Sequence, residues 1–294
     1  MTQPVNAVLI IDKPPGLTSH DVVACVRRIF NQRAVGHLGT LDPLATGVLP
    51  LALGNMTRLA QFYLKSEKSY EGVIRFGFAT DTYDADGEPV GEVTEPTLGL
   101  EHVRELAGKF RGVIEQTPPP FSAKKVLGVP AYKLARKNKP ASLQPIQVEV
   151  KEFEILELEG ARAHFRSRVS SGTYVRSIAH DLGRLANCGA HLESLRRTAV
   201  AEFTLADAHT LAALQNLSGG FPDNFFIHSR KLLPDVPAVT ATDEIAVRIR
   251  HGQSVNLPDT SRAREVKVFQ GQRDLIAIAT RIAGTLFHPK IVLS

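Results

Sequence analysis

The 294-residue chain predicts a mixed α/β fold built on a central, largely antiparallel sheet flanked by helices. Three observations predict it. Helical and strand-like stretches alternate irregularly, without the strict strand–helix repeat of a parallel sheet. The apolar period changes to two at residues 70–78, where Tyr70, Gly72, Ile74, Phe76 and Phe78 alternate with Glu71, Val73, Arg75 and Gly77. Hairpins recur: residues 146–158 and 163–169 pair as antiparallel strands across a turn at Gly160.

Taken in order, Ala7 to Ile11 reads as a short buried strand. A turn at Pro14-Pro15-Gly16 follows, and Thr18 and Ser19 offer capping oxygens for a helix to Phe30. Asn55 or Thr57 caps a second helix ending near Lys65. Asp81 to Gly87 carries three aspartates but lacks the first and last carboxylates of a calcium loop, so it reads as an acidic hairpin turn. Residues 98–110 form a helix with Leu100, Val103, Leu106 and Phe110 inward. Ser171-Gly172-Thr173 opens a helix to Asn187. Arg176 lies in its first turn, where an arginine is ordinarily solvated. A strand opens at Leu195, and residues 204–215 read as helical. Residues 216–235 are irregular and mark a domain boundary, giving domains at 1–235 and 236–294. Beyond it come a short helix at 242–251 and strands at 266–269, 275–280 and 285–293, a small barrel-like unit.

Composition narrows the function classes. An apolar share of 43% is ordinary for a globular protein. No run of about 18 apolar residues spans a membrane. The first residues lack a basic region before an apolar stretch, so no signal peptide is read and a cytoplasmic location is expected. Cys25 and Cys188 stand far apart at apolar positions of expected helices, which argues against a disulfide framework and against zinc. His20 and His37 have no paired ligand at helical spacing, so no metal is expected. The net charge of +5 is modest. Its distribution is more telling: Lys124, Lys125, Lys133, Arg136, Lys137 and Lys139 occur without an acid among them, in a segment entered through Pro118-Pro119-Pro120 and bounded by Pro140. Such a run is either a solvated loop or an arm laid along phosphates.

The stretch from Gly36 to Pro50 is least like packing sequence. It holds three glycines, two prolines and a single carboxylate, Asp42. Pro43 pushes Asp42 out of helical dihedrals. An aspartate before proline commonly closes a turn on its own backbone. The sharper alternative is a catalytic carboxylate presented by a rigid loop.

Four ordered segments decide between these readings. Asp12-Lys13-Pro14-Pro15-Gly16-Leu17-Thr18-Ser19, Gly36-His37-Leu38-Gly39-Thr40-Leu41-Asp42-Pro43-Leu44-Ala45-Thr46-Gly47-Val48-Leu49, Lys68-Ser69-Tyr70-Glu71 and Ser171-Gly172-Thr173-Tyr174-Val175-Arg176-Ser177 resemble motifs of the TruB family of tRNA pseudouridine synthases. The resemblance covers residues 8–200 strongly and the tail weakly. It implies the pseudouridine synthase fold and isomerisation of uridine to pseudouridine at position 55 in the T loop of tRNA. By the same resemblance Asp42 is the catalytic carboxylate, Tyr70 stacks on the target base and Arg176 pairs with Asp42. His37 occupies the space vacated when the uridine flips out, Lys13 supports the loop, and Leu195 lies beside the site. The insertion at about 118–146 grips the T arm, with Lys124, Lys125 and Lys133 as phosphate contacts. The tail resembles a PUA-type RNA-binding module.

The chemistry asks for few parts. A glycosidic bond breaks, the base rotates and reattaches through carbon five. This needs a carboxylate, a cation to keep it charged and an aromatic to hold the free uracil. Attack on the sugar, attack on the base and proton abstraction all suit an aspartate. No cofactor is required, no obligate protein partner is inferred, and a monomer acting on the tRNA T stem-loop is expected. The rivals are a non-catalytic RNA-binding or tRNA-folding protein and a hydrolytic glycosidase, whose usual mechanism wants two carboxylates.

Overall fold

The computed structural model describes residues 4–122, 124–126, 128–135, 143–217, 221–258 and 262–293. Arg136, Lys137 and Lys139 of the basic segment lie outside the described residues. The first half of the chain runs β1 (Ala7–Lys13), α1 (Ser19–Ile29), β2 (Val35–His37), β3 (Thr46–Leu53), α2 (Ala60–Tyr63), β4 (Lys68–Phe76), β5 (Ala79–Thr80), β6 (Pro89–Val90), α3 (Leu100–Gly108) and β7 (Gly112–Gln116). Then come β8 (Lys125–Val126), β9 (Val129–Pro130), α4 (Ala131–Ala135), β10 (Ile146–Glu159), β11 (Arg162–Val169), α5 (Val175–Leu185), β12 (Ala190–Val200), β13 (Phe203–Thr204), β14 (Ala208–His209) and α6 (Leu211–Gln215). The tail holds β15 (Ala238–Ala241), α7 (Asp243–Arg250), β16 (Val255–Asn256), β17 (Glu265–Gln270), β18 (Asp274–Ala283) and β19 (Leu286–Val292).

Among the described residues, the main sheet runs β14-β1-β3-β12-β4-β11-β10-β7, with β2 on β3 and β13 on β12. In this sheet only the β1–β14 and β3–β12 pairs of the described residues are parallel. Strand periodicity divides the core between the two faces. On β1, Leu9 and Ile11 face a cluster built with Val22, Val26, Ile178 and Leu182 of α1 and α5. Val8 and Ile10 face a second cluster with Tyr63 and Phe203. Phe269, Leu275, Ile278, Ile291 and Leu293 of the tail join that second cluster. The tail's own sheet, β15-β17-β18-β19-β16, buries its other face under Ala246 and Ile249 of α7. Tyr63 also donates to Glu202 at 2.7 Å, and Glu202 accepts from the Leu233 amide at 2.9 Å. None of the described helices is long and apolar enough to cross a membrane.

Local chemistry accounts for several boundaries and corrects others. Thr18 caps α1 in a reciprocal box with Asp21. Neither Asn55 nor Thr57 caps a helix: the segment opens as a 3-10 turn at Gly54–Leu59 behind Leu53, with no side-chain cap. Thr57 instead donates to the Gly54 carbonyl at 2.8 Å. The strand read at 70–78 ends at Phe76, because Gly77 turns the chain at φ 110°. Helix α5 starts at Val175 rather than Ser171, since Gly172 has φ 85° and Tyr174 is extended. The strand expected from Leu195 begins at Ala190. The 204–215 helix is confined to Leu211–Gln215; Phe203–Thr204 and Ala208–His209 pair into the sheet instead. Cys25 is buried in α1, whereas Cys188 lies past the end of α5 and is only half-buried.

Candidate active site

The loop between β2 and β3 is held from three directions. Ser19, the first residue of α1, accepts from the Leu41 amide at 2.8 Å and donates to its carbonyl at 2.9 Å. Lys13, at the end of β1 and fully buried, donates to the carbonyls of Pro14, Leu17 and Pro43 at 2.8, 2.7 and 3.1 Å. Arg197, on β12 and also fully buried, donates to Val48, Thr40 and Gly39 at 2.8, 2.9 and 3.1 Å. Three backbone carbonyls on each cation satisfy groups that a buried loop otherwise leaves unpaired. Asp42 therefore projects from a clamped backbone, its side chain 38% exposed.

Arg176 meets it there. Its Nε lies 2.9 Å from Asp42 Oδ2. The Nε–H is not aimed along that line, so the contact is an ion pair rather than a linear hydrogen bond. The same guanidinium places Nη1 3.2 Å from Asp84 Oδ2 and 3.0 Å from the Thr82 carbonyl, and Nη2 3.1 Å from the Phe121 carbonyl. Sequence alone leaves this arginine in solvent; here it is 5% exposed. Two carboxylates and two carbonyls make that burial tolerable, because a buried charge must be paired and hydrogen-bonded. Its helix is set by Gln116 at the end of β7, which donates to the Tyr174 carbonyl at 3.1 Å and accepts from the Tyr174 amide at 2.8 Å.

Asp42 stands on a ridge between two cavities. One, of about 260 Å³, is walled by Tyr70, Lys68, Tyr174, Leu195, Gly39 and Arg176. That is just under the usual range for small-molecule pockets, a size suited to one flat ring. The other contains His37, Ser19, Phe121, Tyr132 and Asp84. Tyr70 and Lys68 reach the first cavity together because they are two apart on β4 and share a face. Burial raises the Tyr70 phenol's pKa, against the pull of the Arg197 guanidinium. Burial, reinforced by Arg197, brings the Lys68 ammonium down to about 8. Burial likewise brings Lys13 to about 8, against the pull of Asp42. His37 is lowered by burial and then by Arg197 and His20, and its Nδ1 is buried without a hydrogen-bond partner. Asp84 is raised, chiefly by burial.

Asp42, Tyr70, Arg176, His37 and Leu195 thus converge, with Lys13 behind the loop. Lys124 and Lys133 are exposed on the neighbouring insertion, and Lys125 lies in β8. The insertion is tied to the site through Phe121, whose carbonyl accepts from Arg176 Nη2. Sequence reasoning missed Arg197, Lys68, Asp84 and Tyr174. For two of them a signal exists: Arg197 shares the inward phase of Leu195, and Lys68 that of Tyr70. A charge on the apolar phase of a strand has to be held by something.

Residues 27–175 match the TruB family pseudouridylate synthase N-terminal domain. The chain belongs to the TruB family. Residues 176–221 match the tRNA pseudouridylate synthase B C-terminal domain. The tRNA pseudouridine synthase B of Solibacter usitatus is 48% identical over 98% of this chain and 100% of its own. That of Pseudomonas putida is 40% identical over 90% and 88%, and that of Aquifex aeolicus 36% over 98% and 100%. Two solved structures share the TruB-family fold seen here. One is an H/ACA RNP bound to a substrate RNA containing 2'-deoxyuridine, at 25% identity and TM-score 0.72 over 98% of this chain and 85% of that one. The other is a Cbf5-Nop10-Gar1 complex, at 26% identity and TM-score 0.72 with the same coverage. This TruB-family chain is a pseudouridine synthase, an isomerase.

Proposed function

We propose that this enzyme converts uridine to pseudouridine at position 55 in the T loop of tRNA, with Asp42 as the catalytic carboxylate. One observation carries the assignment of residues: Asp42 sits 2.9 Å from a buried arginine, on a ridge beside a cavity walled by Tyr70. The tRNA substrate rests on the names of relatives at 36–48% identity. Arg176 balances the charge of Asp42 and orients it. Tyr70 stacks on the uracil while the C1′–N1 bond is open and the C1′–C5 bond forms; C5 loses a proton and N1 gains one, so the reaction is a net isomerisation. His37, neutral on the far side of Asp42, fills space opened when the nucleotide leaves the stack. Leu195 closes the apolar wall, and Lys13 holds the Asp42–Pro43 backbone. Lys124, Lys125 and Lys133 reach phosphates of the T arm and add affinity without chemistry. We place residues 1–235 in the catalytic unit and 236–294 in a PUA-type RNA-binding unit.

The test is Asp42→Asn against a T stem-loop with tritium at C5 of the target uridine. The amide keeps the shape and removes the charge, so tritium release should cease while binding persists. Release at near wild-type rate would leave Asp42 as a turn residue and sink the assignment.

A further inference from the structure

The turn that carries Asp84 contains a backbone outlier. Tyr83 has φ 66°, the left-handed region, which an aromatic residue with a Cβ seldom adopts. Such strain persists where the surroundings over-determine it, and it gathers at functional sites. The surroundings here are specific. The Tyr83 amide donates to the Thr80 carbonyl at 3.2 Å, and its carbonyl accepts from Leu192 at 3.0 Å. Its ring stacks on His180, centroids 3.8 Å apart and planes 13° from parallel. His180 follows Arg176 by four residues on α5, so both occupy one face of that helix. The His180 Nδ1 is buried with no hydrogen-bond partner, so the stack rather than a polar contact sets the ring's place.

The two chain neighbours of Tyr83 are the residues that hold Arg176. Nη1 reaches the Thr82 carbonyl and the Asp84 carboxylate at 3.0 and 3.2 Å. A left-handed residue between them reverses the chain, which brings an oxygen before it and an oxygen after it to the same nitrogen. We propose that the Tyr83–His180 stack is a positioning device: it locks the 82–84 turn onto α5 and thereby fixes the direction in which Arg176 presents Nε to Asp42. Neither ring walls the two cavities beside Asp42, so Tyr83 and His180 are positioning residues and not catalytic ones. A misplacement on the order of 1 Å at reacting groups costs about a hundredfold in rate, which is the leverage such a stack has. The inference rests on Asp42 and Arg176 being the catalytic pair.

The experiment uses the full chain on a T stem-loop, with kcat, KM and melting temperature measured for each variant. Tyr83→Asn accepts the left-handed conformation but removes the ring. It should lower kcat roughly tenfold, the order of an aromatic pair's worth, with KM within about twofold and a melting temperature lowered by no more than about a few degrees. Tyr83→Phe should restore kcat. His180→Ala should match Tyr83→Asn, and the double variant should be no slower than either single, because both remove the same stack. A wild-type kcat in Tyr83→Asn, a double variant whose effects add, or a Phe variant as slow as Asn would each overturn the proposal. Asp42→Asn run in parallel separates the two claims: if it turns over, the catalytic-pair reading fails; if it is dead while Tyr83→Asn is normal, only the stack fails.

Discussion

Arg176 and Lys13 show how single side chains set this site. Arg176 compensates two carboxylates of unequal exposure: Asp42 is 38% exposed and Asp84 7%. Removing the arginine leaves Asp84 buried and unpaired. Arg176→Ala should therefore lower stability by about 3–5 kcal/mol, the usual result of breaking a buried pair, and abolish turnover. The pH dependence carries the sign. Burial already raises Asp84, and a raised folded-state value makes stability greatest below the unfolded value and lost as pH rises through the folded one. The deficit of Arg176→Ala should shrink as pH falls through the carboxylate range, and Asp84→Asn should recover part of it at neutral pH without restoring activity. Urea unfolding of both variants at two pH values checks this. Arg176→Lys should rescue turnover poorly, since an ammonium lacks the planar fork that spans Asp42, Asp84 and two carbonyls.

The lysine behind the loop predicts the opposite limb. Lys13 sits at about 8 in the folded chain against 10.5 when unfolded. The folded state binds fewer protons between those values, so the contribution of Lys13 is present above the unfolded value and lost as pH falls through about 8. Wild-type stability should gain from this lysine as pH rises from about 8 toward 10.5, and Lys13→Met should lack that gain while slowing turnover by loosening Pro43. Denaturation midpoints of the two proteins that rise in parallel over this window would rule it out.

At the scale of elements, the site depends on how closely β3 and β12 approach. Gly47 has φ 99°, and a Cβ there would lie 2.2 Å from the Arg197 carbonyl. Gly47→Ala must push the parallel pair apart at the residue whose guanidinium clamps Gly39 and Thr40. A destabilisation of at least about 1–3 kcal/mol follows from the backbone alone, and turnover should fall further as the Asp42 loop is released. Gly36→Ala is the control, with open space around its Cβ and no left-handed backbone. Thermal melts and tritium release on both variants separate strand contact from simple glycine replacement; equal behaviour of the two would show that the close approach of the strands is not what Gly47 serves.

Across the whole molecule, the site lies where the insertion meets the sheet, and the tail packs on the opposite face through Phe269, Leu275 and Ile291. Replacing Lys124 and Lys133 by Ala should weaken RNA binding and flatten its log–log salt dependence by about 0.7 to 0.9 for each phosphate no longer engaged. Titration at several salt concentrations reads this directly, and an unchanged slope would mean that the insertion does not touch phosphates. The sequence by itself determined what depends on local pattern: the strand period at Tyr70, the capped helix after Thr18, the turn-bound Asp42 loop and the motifs that carry the family. What only the tertiary structure decided is which charges lie inside. Arg176 reads as a solvated first-turn residue and Asp84 as one of several acids in a hairpin, while Arg197 and Lys68 show only that a charge stands on the apolar phase of a strand. Arg176, Asp84 and Arg197 are buried because their partners come from distant segments: Asp42 lies 134 positions from Arg176, and Thr40 lies 157 positions from Arg197, whereas Lys68 donates to the nearby Leu64 and Ser66 carbonyls. A buried cation is stable only with partners in place, and short-range pattern holds no record of partners that the sheet order alone brings together.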